Sequence, residues 1–193
     1  MERPPGTRTC LYEGEALERV LDDMARRVAA LLAGRERVAV IGILRRGAPL
    51  AARLCERLVR RHGLAAPLRL DLQVKRYADD LSLLHPEVRL TEDAGHAALD
   101  LEGRSLLVVD DVLYTGHSLL RVLEYLARRQ PAEIRVAVLV DRGVCSLPVH
   151  ADVVGRRLEI AAGDIIECNV PPYEPAFRIE LLRPRRAGEE DGR

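Results

Sequence analysis

Tryptophan is absent from this 193-residue chain and phenylalanine occurs once, although hydrophobic residues make up 48% of it. A core must therefore be packed from Leu, Val, Ile and Ala. Lysine is all but missing as well, so arginine carries the basic charge. The 30 basic residues offset 30 acidic ones to a formal net charge of zero. That balance gives no sign of a general nucleic-acid binder and leaves a local basic face open for such a role. The four cysteines, Cys10, Cys55, Cys145 and Cys168, lie far apart and form no CxxC pair. This spacing argues against zinc ligation and a disulfide framework, and for a reduced, cytoplasmic setting. No apolar run is long enough to span a bilayer, and the amino-terminal MERPPGTRTC lacks the apolar stretch of a signal peptide. A chain of this length suits one domain, which buries roughly 70% of its unfolded surface and needs no disulfide or metal staple.

What is present is an alternation of helix and strand patterns. Residues 14–33 repeat at helical spacing, with Leu17, Val20, Leu21, Met24, Val28 and Leu31 on one face and Gly34 as a stop. Val38–Leu44 is a short apolar run, read as a buried strand. Gly47 then opens a helix with Leu50, Leu54 and Leu58 facing inward, ending near Gly63. Leu68–Val74 alternates as a second strand. From Lys75 to about Leu101 periodicity disappears, and a structureless stretch of that length in a compact domain is usually a functional lid or hairpin. Strand character returns at Ser105–Val109, followed by a helix over about 116–128 and a strand over Ile134–Val140. Shorter strands are expected at Asp152–Val154, Asp164–Cys168 and Phe177–Leu182, before a frayed tail at 183–193. Strands alternating with helices predict an α/β fold, a parallel central sheet with helices on both faces.

The informative segment is LLVVDDVLYTGHSLL, residues 106–120. An apolar strand runs into two carboxylates, a short Thr-Gly loop and the start of an amphipathic helix. In open α/β sheets ligands bind at the carboxyl ends of strands, where such loops lie. Amides of Tyr114 to Ser118 at a helix start, with a partial positive charge of roughly half a unit, make a phosphate cradle. Gly116 allows close backbone approach, and the hydroxyls of Thr115 and Ser118 add donors. Burying Asp110 and Asp111 unpaired costs several kcal/mol, on the order of a desolvated charge. They suit acceptors for sugar hydroxyls or holders of a Mg ion and its waters. A bare acid pair would equally suit a solvated strand end.

The string VVDDVLYTGHS resembles the PRPP-binding signature of type I phosphoribosyltransferases, where PRPP is 5-phosphoribosyl-1-pyrophosphate. Its DDVLYTG core is similar to that of the pyrimidine-operon regulator/uracil phosphoribosyltransferases, the PyrR family. In the same order along the chain, IGILRRGAPLAARL (41–54) resembles the family's pyrophosphate loop, and RYADDLS (76–82) its flexible catalytic loop. VLVDRG and LPVHADVVG, within 138–155, resemble the hood segment over the base. The matches span about residues 37–155. The chain departs from the family pattern at His117, Ala78, Val144-Cys145-Ser146 and Val153, so the phosphate end matches better than the base end.

The resemblance implies one phosphoribosyltransferase domain over 1–182, with a small hood subdomain at about 141–170. It implies displacement of pyrophosphate from ribose C1 by a ring nitrogen of a nucleobase, through an oxocarbenium-like transition state with Mg as cofactor. PRPP, a nucleobase and a nucleoside monophosphate are then the small-molecule partners, and a homo-oligomer is expected. Asp110, Asp111, Arg46, Tyr77 and Asp79 are the expected catalytic residues, Asp110 and Asp111 also the metal ligands. Arg45, Arg46 and Gly47 would hold pyrophosphate, with a strained or cis peptide near Leu44-Arg45. Tyr114, Thr115, Gly116, His117 and Ser118 would hold phosphate. Arg76, Tyr77, Asp79 and Asp80 would belong to a lid that excludes water. Tyr114, Asp141, Arg142, Leu147 and Val149 would shape the base pocket. Purine enzymes of this class place an acid immediately before Thr-Gly; Tyr114 stands there, which favours uracil. Two other readings stay open: a 6-oxopurine enzyme for hypoxanthine or guanine, and an RNA- or nucleotide-binding regulator with little transferase activity. The neutral net charge lends RNA no support.

Overall fold

A computed structural model describes residues 5–74, 88–90 and 100–185. Along the chain run β1 (Gly6–Glu13), α1 (Gly14–Leu31), β2 (Val38–Leu44), α2 (Gly47–His62), β3 (Leu68–Val74), β4 (Val88–Leu90) and β5 (Ser105–Leu113). They are followed by α3 (His117–Ala127), β6 (Glu133–Asp141), β7 (Val153–Arg157), β8 (Ile165–Asn169) and β9 (Arg178–Pro184). The two strands expected at 38–44 and 68–74 form with those bounds. Strand β5 continues past Val109 through both acids, because its ladder with β6 persists there, pairing Asp110 with Val138 and Val112 with Val140.

The larger sheet has the order β4-β3-β2-β5-β6-β7. Strands β3, β2, β5, β6 and β7 are parallel, as the alternation of elements predicts, and β4 adds an antiparallel edge. Both faces are buried, which is why β2 reads as an unbroken apolar run rather than an alternating one. One face, with Val40, Leu107, Val109 and Leu139, receives α1 through Leu17, Leu21 and Met24, and α2 through Leu50, Leu54 and Leu58. Ile41, Val108 and Val138 on the other face receive α3 through Leu119, Val122 and Leu126. Each fully buried Leu of this kind contributes about 1.5–3 kcal/mol by its removal from water. Leu31, the last residue of α1, is partly buried against the core, and Leu32 just after the helix is fully buried.

A second, antiparallel sheet has the order β1-β9-β8. It draws β1 from the amino-terminal end of the chain and the other two strands from the carboxyl-terminal end. Strand β1 carries mostly exposed side chains, so no buried stripe announces it in the sequence. Strand β8 packs against the end of β5, with the Cys168 thiol 3.9 Å from the Asp111 carbonyl oxygen. All four cysteines are free thiols, Cys55 and Cys168 buried and Cys10 exposed. No helix among the described residues is long and apolar enough to cross a membrane.

Candidate active site

Strands β2 and β5 are neighbours, yet the helices that follow them lie on opposite faces of the sheet. From β2 the chain crosses through α2 to β3 on one side, and from β5 through α3 to β6 on the other. Right-handed crossovers require that division of faces, and it opens a crevice between the carboxyl ends of the two strands. A cavity of about 820 Å³ lies there. Its walls include Arg45 and Arg46 after β2, Asp110 and Asp111 in β5, and Tyr114, Thr115, Gly116 and Ser118 before and within α3. The small sheet and the turn beyond it close one side with Ile166, Asn169, Tyr173 and Glu174.

The two acids are held by their own backbone. Asp110 Oδ1 accepts from the Asp111 amide at 2.9 Å, and Asp111 Oδ1 accepts from the Val112 amide at 3.0 Å. Asp111 Oδ2 lies 3.9 Å from Arg46 Nη1. Burial pushes the Asp111 carboxyl above its ordinary value, with the Arg46 charge working against the shift. Among the described residues no group of three or more His, Cys, Asp or Glu side chains is placed to hold a metal ion. Two adjacent carboxylates without a third suit Mg, which keeps several waters and binds through one or two carboxylates plus substrate phosphates. They do not make an all-protein cage.

The peptide between Leu44 and Arg45 is cis. The Arg45 guanidinium stacks 5.1 Å from the centre of the Tyr173 ring. Arg46 donates from Nε and Nη2 to Glu174 Oε1 at 3.0 and 2.6 Å. Burial alone would raise the Glu174 carboxyl; the Arg46 hydrogen bond and the Val170 amide outweigh it and hold the group below its ordinary value. Gly47 does not line the cavity. A Cβ there would sit 2.5 Å from the Val109 carbonyl oxygen, so glycine lets the start of α2 press onto the backbone of β5. The close approach expected toward a ligand is made toward the neighbouring strand.

The loop before α3 also depends on a glycine. Gly116 has φ 87°, and a Cβ on it would lie 2.5 Å from Cys145 Sγ and 2.6 Å from a Val149 methyl. The Thr115 carbonyl accepts from the Ser146 amide and hydroxyl, both at 3.2 Å. The residues after β6 thus brace the loop from behind. His117 is exposed, with Nδ1 3.1 Å from the Thr115 hydroxyl, and it does not line the cavity.

Of the expected base-side residues, Tyr114 is on the cavity wall and half exposed. Arg142 is buried behind it, its guanidinium 4.1 Å from the centre of the Tyr114 ring and its Nη2 donating to the Asp164 carbonyl at 3.1 Å. Asp141 accepts from the Gly143 amide at 2.9 Å and faces Arg157 at 3.6 Å. Leu147 and Val149 lie against Gly116. None of these four lines the cavity; Arg142, Leu147 and Val149 back the wall that Tyr114 and Gly116 present, while the Asp141 side chain turns to Gly143 and Arg157. Tyr77 and Asp79, with Arg76 and Asp80, lie outside the described residues. Missed altogether in the sequence were Tyr173, Glu174 and the Cys168 thiol beneath Asp111, which burial holds well above its ordinary pKa.

The phosphoribosyl transferase domain family matches residues 8–175. The chain is 34% identical over 177 residues to the bifunctional protein PyrR of Deinococcus radiodurans, covering 90% of this chain and 94% of that one. It is 33% identical over 174 residues to the bifunctional protein PyrR of Thermus aquaticus, covering 89% and 93%. A solved structure of hypoxanthine phosphoribosyltransferase from Trypanosoma cruzi, complexed with the product IMP, superposes with a TM-score of 0.72 at 22% identity, covering 95% of each chain. That likeness is one of fold.

Proposed function

The chain belongs to the phosphoribosyl transferase domain family, and from that premise we propose that it transfers the phosphoribosyl group of PRPP to uracil, giving UMP and pyrophosphate. Membership makes it a glycosyltransferase. The observation that carries the reaction is Arg46 facing Asp111 across one cavity, beside a helix-start phosphate loop. A permanent cation, a carboxylate pair and outward amides are what a sugar diphosphate needs at its leaving group, its hydroxyls and its 5′-phosphate.

In the reaction the bond from ribose C1 to the pyrophosphate oxygen breaks and a bond from the base ring nitrogen to C1 forms, with loss of the proton on that nitrogen. Arg45 and Arg46 receive the negative charge that develops on the departing pyrophosphate. The loop from Tyr114 to Ser118 fixes the 5′-phosphate, so C1 is held in line with the base. Asp110 and Asp111 accept hydrogen bonds from the ribose hydroxyls and steady the positive charge developing at C1. Mg bound with PRPP would be held through Asp110 and Asp111 and would supply neutralising charge to the diphosphate. The cytoplasm and a homo-oligomeric state belong to the same reading.

Tyr114 supports uracil, because it occupies the cavity wall where purine enzymes of this class carry an acid. The PyrR relatives point the same way. The resemblance to the pyrimidine-operon regulators, a family to which these relatives are assigned by name, also supports a second role, regulation of the pyrimidine operon through its messenger RNA. Incubation with PRPP, Mg and a panel of bases tests the enzyme reading. Equal turnover of uracil and hypoxanthine rejects the pyrimidine acceptor. RNA binding that falls steeply with salt tests the regulatory role.

A further inference from the structure

A cavity proposed to bind a diphosphate has an almost fully buried carboxylate on its wall. Glu174 is 8% exposed and lies in the turn between β8 and β9. Left alone, such a charge would repel the diphosphate and be costly to desolvate. It is not left alone. Oε2 accepts from the Val170 amide at 2.8 Å, and Oε1 accepts two donors from one edge of the Arg46 guanidinium. The other edge, Nη1, is thereby turned toward Asp111. Next to it, Tyr173 lies under Arg45. One short turn therefore holds both arginines that follow β2.

We propose that Glu174 is a positioning residue of the leaving-group site, fixing Arg46 by its Nε–Nη2 edge so that Nη1 is presented to the pyrophosphate of PRPP. This rests on the phosphoribosyl-transfer reading above and adds a residue to it. An arginine side chain free in solution gives up substantial rotamer entropy when it binds an anion. Glu174 imposes that cost at folding, so pyrophosphate meets an ordered donor, which is how preorganisation raises affinity. The hydrogen-bonded carboxylate also spends its own charge on Arg46 and the Val170 amide rather than on the ligand.

Calorimetric titration of pyrophosphate with Mg, and separately of UMP, tests this on wild type, Glu174→Ala, Glu174→Gln, Arg46→Ala and the Arg46→Ala/Glu174→Ala double variant. Glu174→Ala is expected to weaken pyrophosphate about tenfold or more, the scale of a charged hydrogen bond. Glu174→Gln, whose carbonyl still accepts from Arg46, is expected to lose only about threefold, since a neutral acceptor is about half as strong. UMP affinity should stay within about twofold in both, and the double variant should bind pyrophosphate no more weakly than Arg46→Ala alone, because the two act as one unit. If the alanine variant does not fold, the glutamine variant carries the same comparison, its loss vanishing when Arg46 is also replaced. Unchanged or tighter pyrophosphate binding overturns the proposal, the latter by making Glu174 a competitor for Arg46. Equal loss of UMP overturns it, as does a loss that adds in full to that of Arg46→Ala. A wild-type protein that binds no pyrophosphate overturns the leaving-group site as well, whereas binding without coupling overturns the role of Glu174 alone.

Discussion

Arg46 Nη1 lies 3.9 Å from Asp111 Oδ2, which brings together the turn after β2 and the end of β5, more than 60 residues apart in the chain. The pairing is too long for a strong hydrogen bond and short enough for each charge to favour the other. With the Nε–Nη2 edge of Arg46 held by Glu174 and Asp111 Oδ1 held by the Val112 amide, Nη1 and Oδ2 are the atoms left to meet a ligand that carries a diphosphate and sugar hydroxyls.

Replacing both Asp110 and Asp111 by Asn keeps their size and their backbone hydrogen bonds but removes the charge that would meet the sugar and Mg. Turnover of PRPP should be abolished, while the thermal unfolding transition stays cooperative. A double variant of near-normal activity would remove these acids from the site.

Arg46→Ala should weaken PRPP and pyrophosphate by roughly 1.5–3 kcal/mol, the value of a charged hydrogen bond, and leave UMP largely unchanged. Titration of the three ligands checks this. An equal loss for UMP would make the arginine a support of the whole cavity rather than a ligand of the leaving group.

A methyl group at residue 47 has nowhere to go, since it would meet the Val109 carbonyl oxygen at 2.5 Å and the Asp110 Cα at 3.1 Å. Both are backbone atoms of a central strand. Gly47→Ala should therefore cost about 1–3 kcal/mol of stability, as overpacking does, measured by chemical unfolding. It should also weaken PRPP by moving the start of α2 and the arginines before it. Wild-type stability in this variant would show that the helix can shift freely.

Glu133 reports on pH. Hydrogen bonds from Arg35, with Ser105 and Arg135, hold its carboxyl at about 2, below the ordinary 4.5. A depressed folded-state value means its stabilisation is complete above about pH 4.5 and is lost as the pH falls toward 2. The stability gap between wild type and Glu133→Gln should be widest at neutral pH and shrink over that window. A gap independent of pH would mean the carboxylate is not held by these partners.

The central sheet was legible because β2 and the first part of β5 are buried on both faces and announce themselves as apolar runs, at Val38–Leu44 and Ser105–Val109, and because β3 alternates. The acids and the Thr-Gly loop were legible because they are contiguous and follow such a run. Strand β1 was not, since an exposed antiparallel strand has no inward stripe to read. Glu174 was not either. Its partner Arg46 is 128 residues away, and nothing local in the Pro-Pro-Tyr-Glu-Pro turn says which cation it will meet. The resemblance of VLVDRG to a hood segment puts Arg142 at the base pocket; folding places it behind Tyr114, where stacking and the Asp164 carbonyl hold it.

The central claim is tested most directly by steady-state kinetics with PRPP, Mg and three bases offered in turn. A site built for one hydrogen-bonding edge rejects a mismatched base by leaving its own polar groups unpaired. With Tyr114 in place of an acid on the cavity wall, uracil should be used at least about tenfold better than hypoxanthine or guanine in kcat/KM, a difference of about 1.4 kcal/mol. Comparable turnover of uracil and hypoxanthine would contradict the pyrimidine acceptor, and no turnover of any base would contradict the enzyme.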